Sequence, residues 1–452
     1  MESFDVAVIG LGPGGEHLAG TLAERGLRVL GIDNGLLGGE CPYWGCVPTK
    51  MMIRAASALA EARRVGALGG SVGEVRPDWA PVARRIRDEA TDSWDDTVAV
   101  DRFTGKGGTF VRGTGRLTGP GRVDVDGTGY QVTRGVVVAT GTRPAVPPID
   151  GLDQVPYWTN RDVVEAEELP GSMVVLGGGA IGCVLAQVLV RFGAQVTVVE
   201  AADNLLALEE PEAGELLRSV LEAEGATIHT GVSARRVDRD GDGIAVALDD
   251  GVVLRAERLL VATGRRADPA AAGLDAVGVA RDARTAPIDE RCRVADGVWA
   301  VGDITGKGAF THVSMYQAGI VIRDILGEDG PAADYRALPR VTFTDPEVGA
   351  VGLTERQARD AGVRVLVGST PVPTTARGWI HKEGNEGLIK LVADADRSVL
   401  VGATAMSPAG GEVLGALSVA VHAEVPLDTL RSMIYAYPTF HRAVEDTLAK
   451  LA

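Results

Sequence analysis

The chain opens on an unbroken apolar run, Val6-Ala7-Val8-Ile9, without the polar alternation of a half-exposed strand. Such a run fits a strand covered on both faces, as in a parallel sheet. Glycines follow at once (Gly10-Leu-Gly12-Pro-Gly-Gly15), then helical spacing over 16–25, then Leu27-Arg-Val-Leu-Gly-Ile32 ending on Asp33. The same order returns as Ser172-Met-Val-Val-Leu176, Gly177-Gly-Gly179-Ala-Ile-Gly182, a helix, and Ala194-Gln-Val-Thr-Val-Val199 ending on Glu200. Asp33 follows Gly10, and Glu200 follows Gly177, by the same 23 positions. Two βαβ dinucleotide-binding units are therefore expected. The glycines permit close approach of a pyrophosphate to a helix N-terminus, and the terminal acid bonds ribose hydroxyls.

Three more apolar segments end in small-residue turns: Gly135-Val-Val-Val-Ala-Thr140-Gly141, Arg258-Leu-Leu-Val-Ala-Thr263-Gly264-Arg265, and Gly297-Val-Trp-Ala-Val-Gly302-Asp303. Turns of this kind let backbone approach a ligand, and an acid there can bond a polyol. Beyond about residue 330 the pattern changes to strands over 340–343, 387–392 and 399–405 with two amphipathic helices. The expected architecture is α/β, with two Rossmann-like nucleotide-binding domains and a C-terminal α+β domain. The boundaries are 1–150 and 268–332 for the two parts of the first domain, 151–267 for the second and 333–452 for the third.

At 452 residues the chain has ample length for such domains, and a net charge of −16 without a basic cluster argues against a nucleic-acid partner. The first strand starts too early for a leader peptide, and the apolar run 413–421 is too short for a bilayer. Four cysteines are too few for a disulfide framework, so a reducing cytoplasm is the expected compartment and no membrane the expected partner.

The chemistry concentrates in Cys41-Pro-Tyr-Trp-Gly-Cys46-Val-Pro-Thr-Lys50, directly after the first βαβ unit. Pro48 suits the first position of a helix running from about Thr49, which sets Cys46 at the positive end of its dipole, where a thiolate is stabilised. A redox-active pair must touch the group that passes it electrons, so the first unit should bind FAD and the second the nicotinamide nucleotide. Glu200 favours NADH, since it bonds the 2′-hydroxyl and repels a 2′-phosphate, and Ala201, Ala202 and Asp203 offer no cation; NADPH is the less favoured donor. His17, His229, His312, His381 and His422 show no metal-ligand spacing, and no metal is expected.

Gly38-Gly39-Glu-Cys41 through Lys50, both glycine fingerprints, Ala139-Thr-Gly141, Ala262-Thr-Gly-Arg265, Ala300-Val-Gly-Asp303 and Phe343-Thr-Asp-Pro-Glu-Val-Gly-Ala-Val-Gly-Leu-Thr354 together resemble the pyridine nucleotide-disulfide oxidoreductases. The resemblance covers nearly the whole chain. It implies a homodimer with a shared active site, a disulfide between Cys41 and Cys46, Cys46 toward the flavin and Cys41 toward the external acceptor. It also implies Lys50 near flavin N5, and Gly10, Gly12, Gly15, Asp33, Gly39, Thr140, Gly141, Gly302 and Asp303 around FAD. Gly177, Gly179, Gly182, Glu200, Gly264 and Arg265 would hold the nicotinamide nucleotide.

Three departures bear on the acceptor. Members that reduce disulfides carry a His-Pro-Thr base oriented by a glutamate, whereas this chain reads Tyr437-Pro438-Thr439. A phenol is a poor base at neutral pH, so His441, one turn beyond Tyr437, with Glu445 a further turn on, is a candidate displaced dyad. Ala180 and Val184 stand where an aromatic gate and a carboxylate partner of Lys50 are usual, and Tyr43-Trp44 could stack on a flat acceptor or pack internally. The leading reading is hydride from NADH through FAD and the cysteine pair to a disulfide substrate, as in dihydrolipoamide dehydrogenase. The alternative is a small non-disulfide acceptor such as a quinone, a metal ion like Hg(II), or oxygen. A third possibility is a flavoprotein kept as a binding partner without turnover.

Overall fold

The computed structural model describes residues 2–452 and divides into two compact units. The first comprises residues up to Pro48, Arg84–Ala145 and Arg265–Tyr335; the second comprises Thr49–Ala83, Val146–Gly264 and Arg336–Ala452. The helix Cys46–Leu68 thus begins in one unit and continues in the other.

In the first unit a sheet runs in the order Arg293–Ala295, Val298–Ala300, Thr128–Val138, Glu2–Ile9, Val29–Asp33, Thr109–Arg112. Glu2–Ile9 pairs in parallel with neighbours on both sides, which explains the unbroken apolar run: Val6, Ala7 and Val8 are all fully buried. Odd and even positions feed different cores. Ala7 and Ile9 pack with Leu30, Ile32 and Val138, while Val6 and Val8 pack with Leu18, Phe103 and Val137. The helix after the first glycine is Pro13–Glu24, three residues earlier than its apolar spacing suggests, with Pro13 in the first turn, where a missing N–H costs nothing.

The second unit holds three sheets. A parallel one runs Thr227–Thr230, Gln195–Glu200, Ser172–Leu176, Arg258–Val261. A three-stranded meander spans Ala234–Asp240, Gly243–Leu248 and Val253–Ala256. An antiparallel sheet runs Pro339–Thr342, Glu347–Gly352, Val399–Ser407, Leu388–Asp394, Val365–Pro371. The mixed α/β class and the C-terminal α+β domain expected from the pattern are both present. Leu388–Asp394 is buried at every position, including Lys390, so its two faces are both covered and no alternation is legible there.

Candidate redox centre and nucleotide sites

Cys41 lies on the short turn Glu40–Tyr43, and Cys46 is the first residue of Cys46–Leu68. The helix therefore starts three residues before the expected Thr49. Pro48 falls at its third position, where its absent N–H is still among those without an intrahelical acceptor. This places Cys46 directly at the dipole's positive end. Both sulfurs are half-buried thiols. A hydrogen bond between them, followed by burial, holds the Cys41 thiol above its ordinary range, while Thr311 pulls the other way. Cys46 Sγ lies 3.4 Å from Thr311 Oγ1, on the first residue of the helix Thr311–Leu326. Two helix N-termini thus meet at the pair. Nothing in the sequence around Thr311 marks it.

Tyr43 is 6 % exposed, its ring 5.8 Å from that of Trp44, so Tyr43 packs internally and is not available to stack on an acceptor. Lys50 follows Cys46 by one helical turn, and its Nζ stands 4.4 Å from the centre of the Phe343 ring.

The two glycine loops are built alike. Asp33 Oδ2 accepts from Leu11 N at 2.7 Å and its Oδ1 from Gly35 N at 2.8 Å. Glu200 Oε2 accepts from Gly178 N at 2.6 Å and its Oε1 from Ala202 N at 2.7 Å. Each carboxylate ties its own glycine turn to the end of the next strand. Gly10, at φ +95°, could carry no side chain, since a Cβ would lie 2.5 Å from the Ala139 carbonyl oxygen. A Cβ on Gly15 would lie 2.2 Å from the Gly10 oxygen, and one on Gly182 would lie 1.9 Å from the Gly177 oxygen. By contrast Gly12, Gly141, Gly179 and Gly264 face open space. Side-chain-free walls beside exposed helix N-termini are what a dinucleotide's pyrophosphate needs, so these residues fit FAD in the first unit and a nicotinamide nucleotide in the second.

Asp303 opens a short turn after Gly302, whose N–H donates to Gln317 Oε1 at 2.7 Å. Burial raises the Asp303 carboxyl above its usual range, against a 2.9 Å hydrogen bond from Thr142 Oγ1 and the nearby Arg265 charge. Arg265 donates from Nε to Thr142 Oγ1 at 2.8 Å and from Nη2 to Thr142 O at 2.7 Å, with Glu40 at 3.7 Å. It therefore joins the Thr140-Gly141-Asp303 group in the first unit.

The C-terminal segment departs most from expectation. Tyr437 precedes the helical residues, in a bend with a cis bond to Pro438, and is 69 % exposed. Phe440–Arg442 forms a 3₁₀ turn and Ala443–Leu448 an α-helix. Pro438 explains the break: it lacks an N–H and disfavours helical geometry in the residue before it. Tyr437 and His441 are thus not successive turns of one helix. His441 Nε2 lies 3.5 Å from Thr439 Oγ1, while Glu445 Oε2 lies 2.5 Å from Arg442 Nη1 in an ion pair whose angle falls outside hydrogen-bond geometry. Arg442 in turn lies over the Tyr437 ring, 5.4 Å from its centre. The carboxylate expected to orient His441 is taken by an arginine.

The arrangement of nucleotide loops and thiol pair defines a flavin-type dithiol oxidoreductase, and comparison with known proteins agrees. Residues 4–318 match the family model "Pyridine nucleotide-disulphide oxidoreductase", and residues 338–448 match its dimerisation domain. A dihydrolipoyl dehydrogenase of Chlorobaculum tepidum is 34 % identical, covering 98 % of this chain and 96 % of the relative. A mercuric reductase of Streptomyces lividans is 32 % identical, covering 98 % and 95 %. Among solved structures, the HOCl-induced flavoprotein disulfide reductase RclA of Escherichia coli has a TM-score of 0.85 at 27 % identity, covering 98 % of this chain and 99 % of that one. Its Cu(II) complex aligns with a TM-score of 0.86 at 26 % identity, covering 99 % of both chains. The chain belongs to the pyridine nucleotide-disulphide oxidoreductases. The family binds FAD and uses NAD(P)H, and the dimerisation domain indicates a homodimer. Among the described residues no helix is long and apolar enough to cross a membrane.

Proposed function

We propose that the protein is a cytoplasmic NADH oxidoreductase whose Cys41/Cys46 pair delivers two electrons to a small acceptor that needs no histidine base, such as a quinone or a soft metal ion. FAD, when bound, supplies the two-electron relay between nicotinamide and sulfur. Gly10, Gly12, Gly15 and Asp33 hold its adenosine end, and Gly39, Thr140, Gly141, Gly302 and Asp303 its ribityl side, with Arg265 bracing Thr142. Gly177, Gly179, Gly182, Glu200 and Gly264 hold the nicotinamide nucleotide. Cys46, at the helix N-terminus, is the thiolate toward the flavin, and Cys41, whose thiol is held above its ordinary range by its hydrogen bond to Cys46 and by burial, faces the acceptor. Two electrons and one proton convert the disulfide to the Cys41 thiol and Cys46 thiolate, and the disulfide re-forms, releasing that proton, when the acceptor takes the two electrons.

One observation carries the choice of acceptor: Glu445 pairs with Arg442, so His441 lacks the orienting carboxylate of a thiol-exchange base, and Tyr437 is an exposed phenol. A disulfide substrate is the second reading, favoured by the intact, mutually hydrogen-bonded thiol pair. A steady-state panel with NADH decides between them, using lipoamide, small disulfides, a naphthoquinone, Hg(II) and Cu(II). Turnover of the quinone or a metal, with lipoamide at the uncatalysed rate, is expected. Lipoamide turnover well above every other acceptor would replace the first reading with the second. The same assay gives donor preference, where kcat/KM for NADH should exceed that for NADPH.

A further inference from the structure

Lys50 sits one turn after Cys46, so its ammonium is the nearest cation along the helix to the thiol held at the N-terminus. Its Nζ lies 4.4 Å from the centre of the Phe343 ring, well inside the range at which a ring's quadrupole attracts a cation. Phe343 is not placed there by chance packing. It directly follows the strand Pro339–Thr342 and leads into Asp345, which is gripped from several sides. Asp345 Oδ2 pairs with Arg64 Nη2 at 3.1 Å and with Arg191 Nη2 at 2.8 Å. Asp345 N and O exchange hydrogen bonds with the Gln187 side chain at 2.8 and 2.9 Å. Arg64 belongs to the same helix as Lys50, so the turn Phe343–Asp345 engages that helix twice: with an aromatic face at its reactive end and a carboxylate farther along.

We infer that Phe343 is a positioning residue for the redox centre: its ring face holds the Lys50 ammonium one turn beyond Cys46 on the same helix. A ring binds the cation without adding a formal negative charge that would oppose a thiolate one turn away. This inference rests on the proposed place of Lys50 at the redox centre, and its test is chosen to be independent of which acceptor is used.

Phe343→Leu removes the quadrupole while keeping an apolar side chain, and Phe343→Trp strengthens it. The holoenzyme is treated with acetic anhydride at fixed pH, and acetylation of Lys50 is followed by peptide mass spectrometry with Lys106 and Lys450 as internal controls. Phe343→Leu should raise the Lys50 acetylation rate about 3- to 10-fold and leave the controls unchanged, and Phe343→Trp should match wild type or fall below it. In a second readout the dithiol form is titrated with pH, following the long-wavelength absorbance of thiolate beside oxidised flavin. Phe343→Leu should move that midpoint upward, because a less firmly held cation stabilises the thiolate less. Unchanged Lys50 acetylation in Phe343→Leu, or an unmoved midpoint, overturns the inference. Should Phe343→Leu not fold, faster Lys50 acetylation in Phe343→Trp than in wild type overturns it equally. Either result leaves the acceptor panel unaffected, so the two proposals fail separately.

Discussion

Replacing Lys390 by methionine should be among the most destabilising single changes in the second unit. Lys390 is 3 % exposed on a strand buried at every position, and its Nζ meets three carboxylates: Glu210 at 2.9 Å, Glu212 at 2.7 Å and Glu355 at 3.0 Å. Glu210 is itself 3 % exposed and also accepts from Glu355 N at 2.7 Å. Glu212 and Glu355 retain solvent contact and can rehydrate. Glu210 cannot, so the variant leaves one buried carboxylate with a single backbone donor and no cation. Breaking a buried ion pair from one side costs about 3–5 kcal/mol. For a folding unit of this size that corresponds to a fall in melting temperature on the order of 10 °C. The assay is thermal unfolding followed by far-UV circular dichroism, on wild type, Lys390→Met, and the double variant Lys390→Met with Glu210→Gln. Neutralising Glu210 should recover at least half of the loss, because most of it is the orphaned charge and not the missing attraction. A fall below about 2 °C, or a double variant no better than the single one, would refute the reasoning. The pH dependence follows in sign. The three carboxylates hold the Lys390 pKa above its ordinary value despite burial, so its contribution is fully present at neutral pH and lost only on the alkaline side. Lys390 and Arg359 depress the Glu355 pKa, so that contribution is lost as pH falls below the ordinary carboxylate range.

Further outcomes test the site. His441→Gln should leave turnover within about twofold, since a true general base would cost ~100-fold or more, whereas Cys46→Ser should abolish acceptor reduction through the pair. Glu200→Ala removes the acceptor for both Gly178 N and Ala202 N, and should raise KM for NADH about 10-fold or more while narrowing the preference over NADPH, read by steady-state kinetics. Burial raises the Asp303 carboxyl, so the folded chain favours its protonated form, and this residue's stabilising contribution is lost as pH rises through the raised value. Asp303→Asn should therefore raise the melting temperature of the flavin-free chain near pH 7 and weaken FAD retention, measured by gel filtration and absorbance. No gain in stability would contradict the burial argument.

Much of this molecule could be read along the chain because its features are local. Apolar runs ending in glycines and an acid report a strand buried on both faces, a turn with no room for a Cβ, and a carboxylate returned to that turn 23 residues later. Those requirements fall within one βαβ unit, so both copies, the thiol pair and the third domain were visible in order and kind. Helix starts were displaced by three residues at Pro13 and at Cys46, because a proline is accommodated anywhere in a first turn and its position does not set the boundary. What could not be read depends on partners distant in sequence. Arg265 sits with Thr142 because the chain crosses back into the first unit at that residue. Thr311 meets Cys46 through the approach of two helix ends, and Phe343 meets Lys50 across nearly 300 positions. At the C-terminus a spacing of four suggested a histidine dyad, yet the pairing went to Arg442, whose guanidinium reaches Glu445 while Pro438 keeps Tyr437 off the helix. Local sequence determines which backbone conformations are allowed and which faces must be buried. Which charges end up together is settled only when separate segments pack, since electrostatic contacts depend on distances that the chain order does not contain.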